Sequence, residues 1–190
     1  MPMKILDKKT VWEGSFLRAM ILTYKDHNGR VRKWEAVERV HCNGIVAIVP
    51  VTAANEVLLI RQFRPVLNNF VVEIPAGLND RGESLVDAAR RELVEETGYS
   101  SEEFTFLAEG PISPGLSTEL LTVFEAKNVS PAPAWLKERY PPDETENVEL
   151  IKVSLRDVYE RLEAFSRSGD YVDLKIYGFL DLVEKKRAGS

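Results

Sequence analysis

The stretch from Gly77 to Tyr99 constrains the fold of this chain more than any other part of its sequence. Between Ser84 and Thr97, apolar residues recur at three- and four-residue spacing, which is typical of a helix that packs one narrow face against a core. These apolar residues are Leu85, Ala88, Ala89 and Leu93. Gly98 follows as the predicted left-handed cap. We therefore expect one helix that follows a loop and ends in a sharp turn.

Three carboxylates lie together on the second half of this predicted helix. Glu92, Glu95 and Glu96 occupy positions i, i+3 and i+4, so their side chains emerge on one face, where like charges repel. The helix dipole also disfavours carboxylates in the last turn. A hard divalent cation explains the placement, because Mg²⁺ binds one or two carboxylates together with substrate phosphates. The alternative is a solvated acidic helix end, partly neutralised by Arg90 and Arg91.

The spacing of fixed residues in this stretch resembles the Nudix box. That pattern is Gly, five residues, Glu, seven residues, Arg-Glu, an aliphatic residue, any residue, Glu-Glu, any residue, Gly and an apolar residue. The matching residues are Gly77, Glu83, Arg91, Glu92, Leu93, Glu95, Glu96, Gly98 and Tyr99. A chance match in a chain of this length has a probability below about one in a million. The resemblance implies a metal-dependent hydrolase of nucleoside diphosphates linked to another group.

The resemblance also implies roles for the box residues, with Mg²⁺ as the cofactor and Mn²⁺ as the alternative. The implied metal-binding groups are Glu92, Glu95, Glu96 and the backbone carbonyl of Ala76, and Glu92 and Glu96 also count as catalytic. Glu83 has two open roles, reaching a metal through water or pairing with Arg91. For Arg91 we favour a structural role, since a guanidinium can hold carboxylates in a bidentate grip.

Further segments are similar to the ADP-ribose pyrophosphatase group of this family. They are Thr23–Val37, Arg61–Pro65, Glu73–Gly77 and Ser113–Ser117. The similarity implies Mg²⁺-dependent hydrolysis of ADP-ribose to AMP and ribose 5-phosphate. One alternative is another nucleoside diphosphate sugar, such as GDP-mannose, because the box itself does not read the sugar. The other is a nucleotide-binding module that does not hydrolyse its ligand.

The pattern along the chain predicts a mixed α/β (α+β) fold with a β-rich centre, the box helix on one side and C-terminal helices on the other. The resemblance makes this a Nudix-type α/β/α sandwich with a mixed sheet. N-terminal to the sandwich, alternating apolar residues predict a strand from Trp12 to Tyr24. The dipeptide Asn28-Gly29 then predicts a turn into a second strand, Val31 to His41. We therefore expect an N-terminal β-hairpin extension, residues 1–43, before a catalytic domain, residues 44–190.

In the ADP-ribose pyrophosphatase group, the N-terminal strands exchange between two subunits and complete the partner's site, so the resemblance implies a homodimer. The implied substrate-binding residues are Phe16, Trp34, Glu35, Arg39 and Arg64. Phe16 and Trp34 would stack on the two faces of the adenine, one from each subunit, and Glu35 would contact the base edge. Trp12 is the alternative to Phe16. Arg39 and Arg64 would contact phosphate or ribose, and Glu73 faces either the site or the solvent.

The base that deprotonates the attacking water is not part of the box. In this subfamily the base is a glutamate on the loop before the last strand, which corresponds here to Pro142–Glu149. Alignment of that loop places the catalytic base at Glu146, with Glu144 and Glu149 as alternatives. A solvated acidic loop is the remaining interpretation.

Composition narrows the class of protein. A chain of 190 residues with 44% apolar content can build one domain with a core. The net charge of −5 argues against a nucleic-acid partner. Cys42 is the only cysteine, and the longest apolar run, Gly44 to Val51, is too short to span a bilayer. We expect a cytoplasmic, soluble protein with a small-molecule nucleotide substrate and no membrane partner.

Overall fold

The computed structural model describes residues 2–143 and 147–188. The strands are β1 (Lys4–Glu13), β2 (Leu17–Lys25), β3 (Val31–Arg39), β4 (Ile45–Val51), β5 (Glu56–Arg64), β6 (Asn69–Glu73), β7 (Ala76–Leu78), β8 (Tyr99–Ser100), β9 (Glu103–Pro111), β10 (Leu120–Lys127), β11 (Ser130–Pro131), β12 (Val148–Ser154) and β13 (Tyr171–Val172). The helices are α1 (Leu85–Thr97), α2 (Ala134–Arg139), α3 (Val158–Ser168) and α4 (Lys175–Ala188). No helix in these two ranges is long and apolar enough to cross a membrane.

An eight-stranded mixed sheet forms the centre of the fold. Its main path is β13-β6-β5-β4-β10-β9, with β12 paired to β5 and β7 paired to β4. Strands β4 and β10 run parallel, as do β6 and β13, and the other pairs in this sheet are antiparallel. Every residue of β4 is buried, which is typical of a strand that is covered on both faces.

Helices cover both faces of this sheet, as predicted. On one face, Ala88, Ala89 and Leu93 of α1 pack against Val46 and Ile48 of β4. On the other face, α3 and α4 pack against the alternate residues of the same strands. Burial of each Val, Leu or Ile side chain contributes about 1.5–3 kcal/mol. The apolar stripe of α1 therefore fixes the box helix on the sheet, and the α/β/α sandwich is confirmed.

The N-terminal region contains three strands in the antiparallel order β1-β2-β3. The hairpin of β2 and β3 is confirmed, but the single long strand predicted from Trp12 to Tyr24 is wrong. The chain turns between β1 and β2, where the Gly14 amide donates to the Leu17 carbonyl at 2.8 Å. A Cβ at position 14 would lie 2.5 Å from the Trp12 ring. Glycine therefore lets the tryptophan lie across the turn, and β1 begins at Lys4, before the predicted strand.

The turn between β2 and β3 is organised by one carboxylate. Asp26 accepts hydrogen bonds from the backbone amides of Asn28 and Arg30, each at 2.9 Å, and from Arg32 Nε at 3.1 Å. The amide of Arg30 makes the largest contribution to lowering the pKa of Asp26 below its ordinary value. These bonds fix the turn, and with it the register that pairs β2 with β3.

Candidate active site

The box forms a strand, a loop and a helix in the predicted order. At the start of α1, the Ser84 hydroxyl accepts a hydrogen bond from the Asp87 amide at 3.2 Å. At its end, Gly98 adopts the left-handed conformation, with φ of 69°, and donates to the Val94 carbonyl. The helix therefore begins and ends where the sequence predicts, and its carboxylates face strand β7.

Arg91 lies at the centre of the box and is only 2% exposed. Its Nε donates to Glu83 at 2.9 Å, and its Nη1 donates to Glu92 and Glu95, both at 2.7 Å. Its Nη2 donates to the Leu78 carbonyl at 2.9 Å. Burial alone would lower the pKa of the guanidinium, but the hydrogen bond to Glu83 and the charge of Glu92 raise this pKa above its ordinary value. The pairing of Arg91 with Glu83 is confirmed, and the other bonds of this guanidinium agree with the predicted structural role.

Two of the predicted catalytic carboxylates lie against the backbone of β7. The amide of Ala76 donates to Glu96 Oε2 at 2.9 Å. The carboxylate of Glu92 is so close to Gly77 that a Cβ added there would lie 1.9 Å from Glu92 Cδ. Only glycine permits this approach. The structure thus brings Glu92 and Glu96 to the backbone of Ala76 and Gly77, and metal binding by the Ala76 carbonyl stays a prediction.

The charge of this cluster suits a divalent cation. Its four carboxylates face two guanidinium groups, those of Arg91 and of Arg81, whose Nη2 lies 3.2 Å from Glu95. The balance is two negative charges. Within residues 2–143 and 147–188, no group of three or more His, Cys, Asp and Glu side chains is arranged as a metal site. Mg²⁺ does not require such a group, because it keeps several waters and is typically held by one or two carboxylates together with substrate oxygens.

Both predicted substrate-binding arginines form ion pairs. Arg64 Nε donates to Glu73 at 2.8 Å, and Arg39 Nε donates to Glu119 at 2.7 Å. Each arginine side chain is 37% exposed. Arg64 lies six residues after Leu58, which packs against α1, so alternation along β5 places Arg64 on the same face of the sheet as the box helix. Contact of either arginine with substrate stays a prediction.

The residues predicted to bind the adenine base all belong to the N-terminal sheet or its turns. Phe16 lies in the turn between β1 and β2 and is 72% exposed, and Trp12 on β1 is 59% exposed. Trp34 on β3 is 49% exposed, and its Nε1 donates to the Gly115 carbonyl at 3.0 Å. Glu35 follows it on β3 and is also exposed. Aromatic faces are therefore available on this sheet, and their stacking on a base stays a prediction.

The predicted catalytic base, Glu146, and its first alternative, Glu144, lie outside the described residues. Glu149 is on β12, and one of its carboxylate oxygens lies 3.2 Å from Arg61 Nη1. Glu149 and Arg61 are paired in register, and Arg61 lies two residues after Leu59, which packs against α3 and α4. Glu149 is therefore on the face of the sheet opposite the box helix, which disfavours it as the base.

Glu119 and Arg81 were not among the predicted site residues. Glu119 pairs with a residue 80 positions away, and no local sequence pattern indicates such a contact. Arg81 occupies a position of the box that is not fixed in its pattern, and its Nη2 donates to Glu95. The contacts of Glu119 with Arg39 and of Arg81 with Glu95 form only when the fold brings these residues together.

We expect Arg91→Lys to lower the free energy of unfolding by about 3 kcal/mol, because one ammonium group cannot replace the buried guanidinium among its carboxylates. Urea denaturation measures this. The matched control is Arg90→Lys on the exposed side of the same helix, for which we expect a change within about 0.5 kcal/mol. Equal effects of the two substitutions would contradict the structural role of Arg91.

Comparison with known proteins places the chain in a family. The family profile described as NUDIX domain matches residues 43–173. An ADP-ribose pyrophosphatase of Bacillus subtilis (strain 168) is 34% identical over 161 residues, which cover 85% of this chain and 83% of that protein. An ADP-sugar pyrophosphatase of Mus musculus is 34% identical over 191 residues, with coverage of 92% and 84%.

A solved structure shows the same fold. The crystal structure of an ADP compounds hydrolase matches with a TM-score of 0.78 at 24% identity, and the match covers 100% of this chain and 96% of that one. The matched profile spans the box, the central sheet and α3. Together with the geometry of the box, these similarities show that the chain belongs to the NUDIX domain family.

Proposed function

We propose that this chain hydrolyses the pyrophosphate bond of ADP-ribose, with Mg²⁺, to AMP and ribose 5-phosphate. The observation that carries the proposal is the convergence of Glu92 and Glu96 on the backbone of β7 within a cluster of net negative charge. Relatives named for ADP-ribose and for ADP-sugars, each 34% identical over most of their length, support this substrate class. The predicted cytoplasmic location is part of the same proposal.

The box residues would hold the cation and keep each other in place. Glu92, Glu96 and the Ala76 carbonyl would bind Mg²⁺, or Mn²⁺ as the alternative, and Glu95 would support a further ion. When bound, the cation neutralises the diphosphate and orients the attacking water. The guanidinium of Arg91 donates to both Glu92 and Glu95, so it offsets the repulsion between the two carboxylates and fixes their side-chain conformations.

The remaining residues would bind and orient the nucleotide. Trp34 offers an exposed ring to the base, with Phe16 of the second subunit on the other face. Glu35 would accept a hydrogen bond from the base edge. Arg39 and Arg64 would donate to phosphate or ribose oxygens, for which a planar guanidinium is suited. In this proposal the diphosphate would lie between the N-terminal sheet and the box.

A substrate panel tests the proposal directly. We expect turnover of ADP-ribose in Mg²⁺, none in EDTA, and equal amounts of AMP and ribose 5-phosphate. Glu96→Gln should reduce kcat by a factor of about 10³ or more at fixed Mg²⁺, because the variant loses a ligand charge at the reacting centre. Faster hydrolysis of GDP-mannose would reassign the substrate. Nucleotide binding without hydrolysis would instead identify a binding module.

Replacement of the loop glutamates locates the base. Glu146→Gln should lower kcat by a factor of about 10²–10⁴ with a smaller change in KM. Glu144→Gln is the matched comparison, and Glu149→Gln is the control from the opposite face of the sheet. A larger loss of kcat in Glu144→Gln than in Glu146→Gln would show that the alignment of this loop is wrong.

The dimer is part of the proposed site because Phe16 would come from the second subunit. All ten residues of β1 are exposed in the single chain, and several of the exposed side chains on β1 and the following turn are large and apolar. They are Ile5, Leu6, Val11, Trp12 and Phe16. A surface of this kind is typical of an interface. Light scattering should give twice the 21.5 kDa of the chain; a monomer at working concentration would contradict both the dimer and the shared site.

A further inference from the structure

The segment from Gly115 to Glu119 runs beside β3 and is attached to it at three places. The attachments are Trp34 Nε1 to the Gly115 carbonyl at 3.0 Å, the Val37 backbone to Leu116 and Thr118 at 2.8 and 3.2 Å, and Arg39 Nε to Glu119 Oε1 at 2.7 Å. Two of the three attach residues that are predicted to bind the substrate. The segment therefore fixes the positions of these side chains as well as that of the strand.

Both carboxylate oxygens of Glu119 accept hydrogen bonds. Glu119 Oε1 accepts from Arg39 Nε, and the Ser117 hydroxyl donates to Glu119 Oε2 at 3.2 Å. The carboxylate is 16% exposed and the guanidinium 37% exposed. Within residues 2–143 and 147–188, Glu119 is the one hydrogen-bond partner found for the Arg39 side chain. The bond uses Nε, so both Nη groups remain as donors for a ligand.

A contribution to folding stability does not explain why the carboxylate of Glu119 is paired with Arg39. A partly exposed ion pair contributes little to folding, and a negative charge beside an arginine weakens the attraction of that arginine for an anion. Arg39 and Glu119 also line a cleft of about 350 Å³ between the end of β3 and the starts of β4 and β10. A small molecule can therefore reach the guanidinium that the carboxylate holds.

We infer that Glu119 is a positioning residue, which orients the Arg39 guanidinium so that its Nη groups meet the nucleotide. This inference rests on the proposed function, since Arg39 contacts substrate only within it. The role is geometric, because Glu119 fixes the plane of the guanidinium by occupying its Nε edge. An acceptor without charge should therefore suffice, whereas loss of the acceptor should not be tolerated.

Steady-state kinetics separate these two cases. Glu119→Leu should raise KM for ADP-ribose about 5- to 20-fold, the effect of losing one charge-assisted hydrogen bond, with kcat within about threefold. Glu119→Gln retains an acceptor and should stay within about threefold of the wild-type KM. The matched control is Glu38→Leu, which lines the same cleft but pairs with Arg18; its KM should be unchanged. An unchanged KM in Glu119→Leu, or equal losses in Glu119→Leu and Glu38→Leu, would overturn the inference.

Calorimetric measurement of AMP binding in the absence of metal tests the positioning role of Glu119 independently of catalysis. Arg39→Leu and Glu119→Leu should each weaken AMP binding, and the double variant should bind no more weakly than Arg39→Leu, because Glu119 acts through Arg39. Additive losses would overturn the inference, as would a wild-type chain that binds no AMP. A wild-type chain that binds AMP through Arg39 and Glu119 but does not hydrolyse ADP-ribose would refute the proposed function alone.

Discussion

The buried guanidinium of Arg91 is the interaction on which the box depends. Without a counter-charge, the carboxylates that it contacts would repel one another across a few ångströms of partly dehydrated space, where charge interactions are stronger than in water. Arg91 holds Glu83, Glu92 and Glu95 in a fixed arrangement and leaves a net negative charge for a cation. The same residue ties the helix to strand β7 through the Leu78 carbonyl. Arg91 therefore contributes both to the stability of the box and to the arrangement of its proposed metal-binding carboxylates.

The sheet and helix α1 set the geometry that Arg91 preserves. The small apolar residues of α1 let the helix lie close to β4, and the absence of a side chain at Gly77 lets Glu92 reach the backbone of β7. Because α1 packs closely against the sheet, the carboxylate of Glu92 has little freedom to move unless the helix moves with it. By contrast, the residues predicted to bind the adenine base lie on a separate sheet or its turns, and the segment from Gly115 to Glu119 attaches β3 of that sheet through hydrogen bonds. Metal binding and base binding are thus assigned to different parts of the chain.

The sequence predicted those features that depend on local patterns. The box helix and its C-terminal cap followed from apolar spacing and Gly98, and the hairpin of β2 and β3 followed from Asn28-Gly29. The turn after β1 was missed because its short Gly14 turn lacks that signal and the strand pattern continues on both sides of it. The pairing of Arg39 with Glu119 depends on how distant strands meet, which periodicity does not report.

We propose that the carboxylates of the box direct the attacking water to the adenosyl phosphorus of ADP-ribose. Hydrolysis in ¹⁸O-labelled water, followed by mass spectrometry of both products, shows which phosphorus the water attacks. We expect AMP to carry the label, ribose 5-phosphate to carry none, and the formation of both products to require Mg²⁺. Label in ribose 5-phosphate, or product formation that is independent of divalent cations, would contradict it.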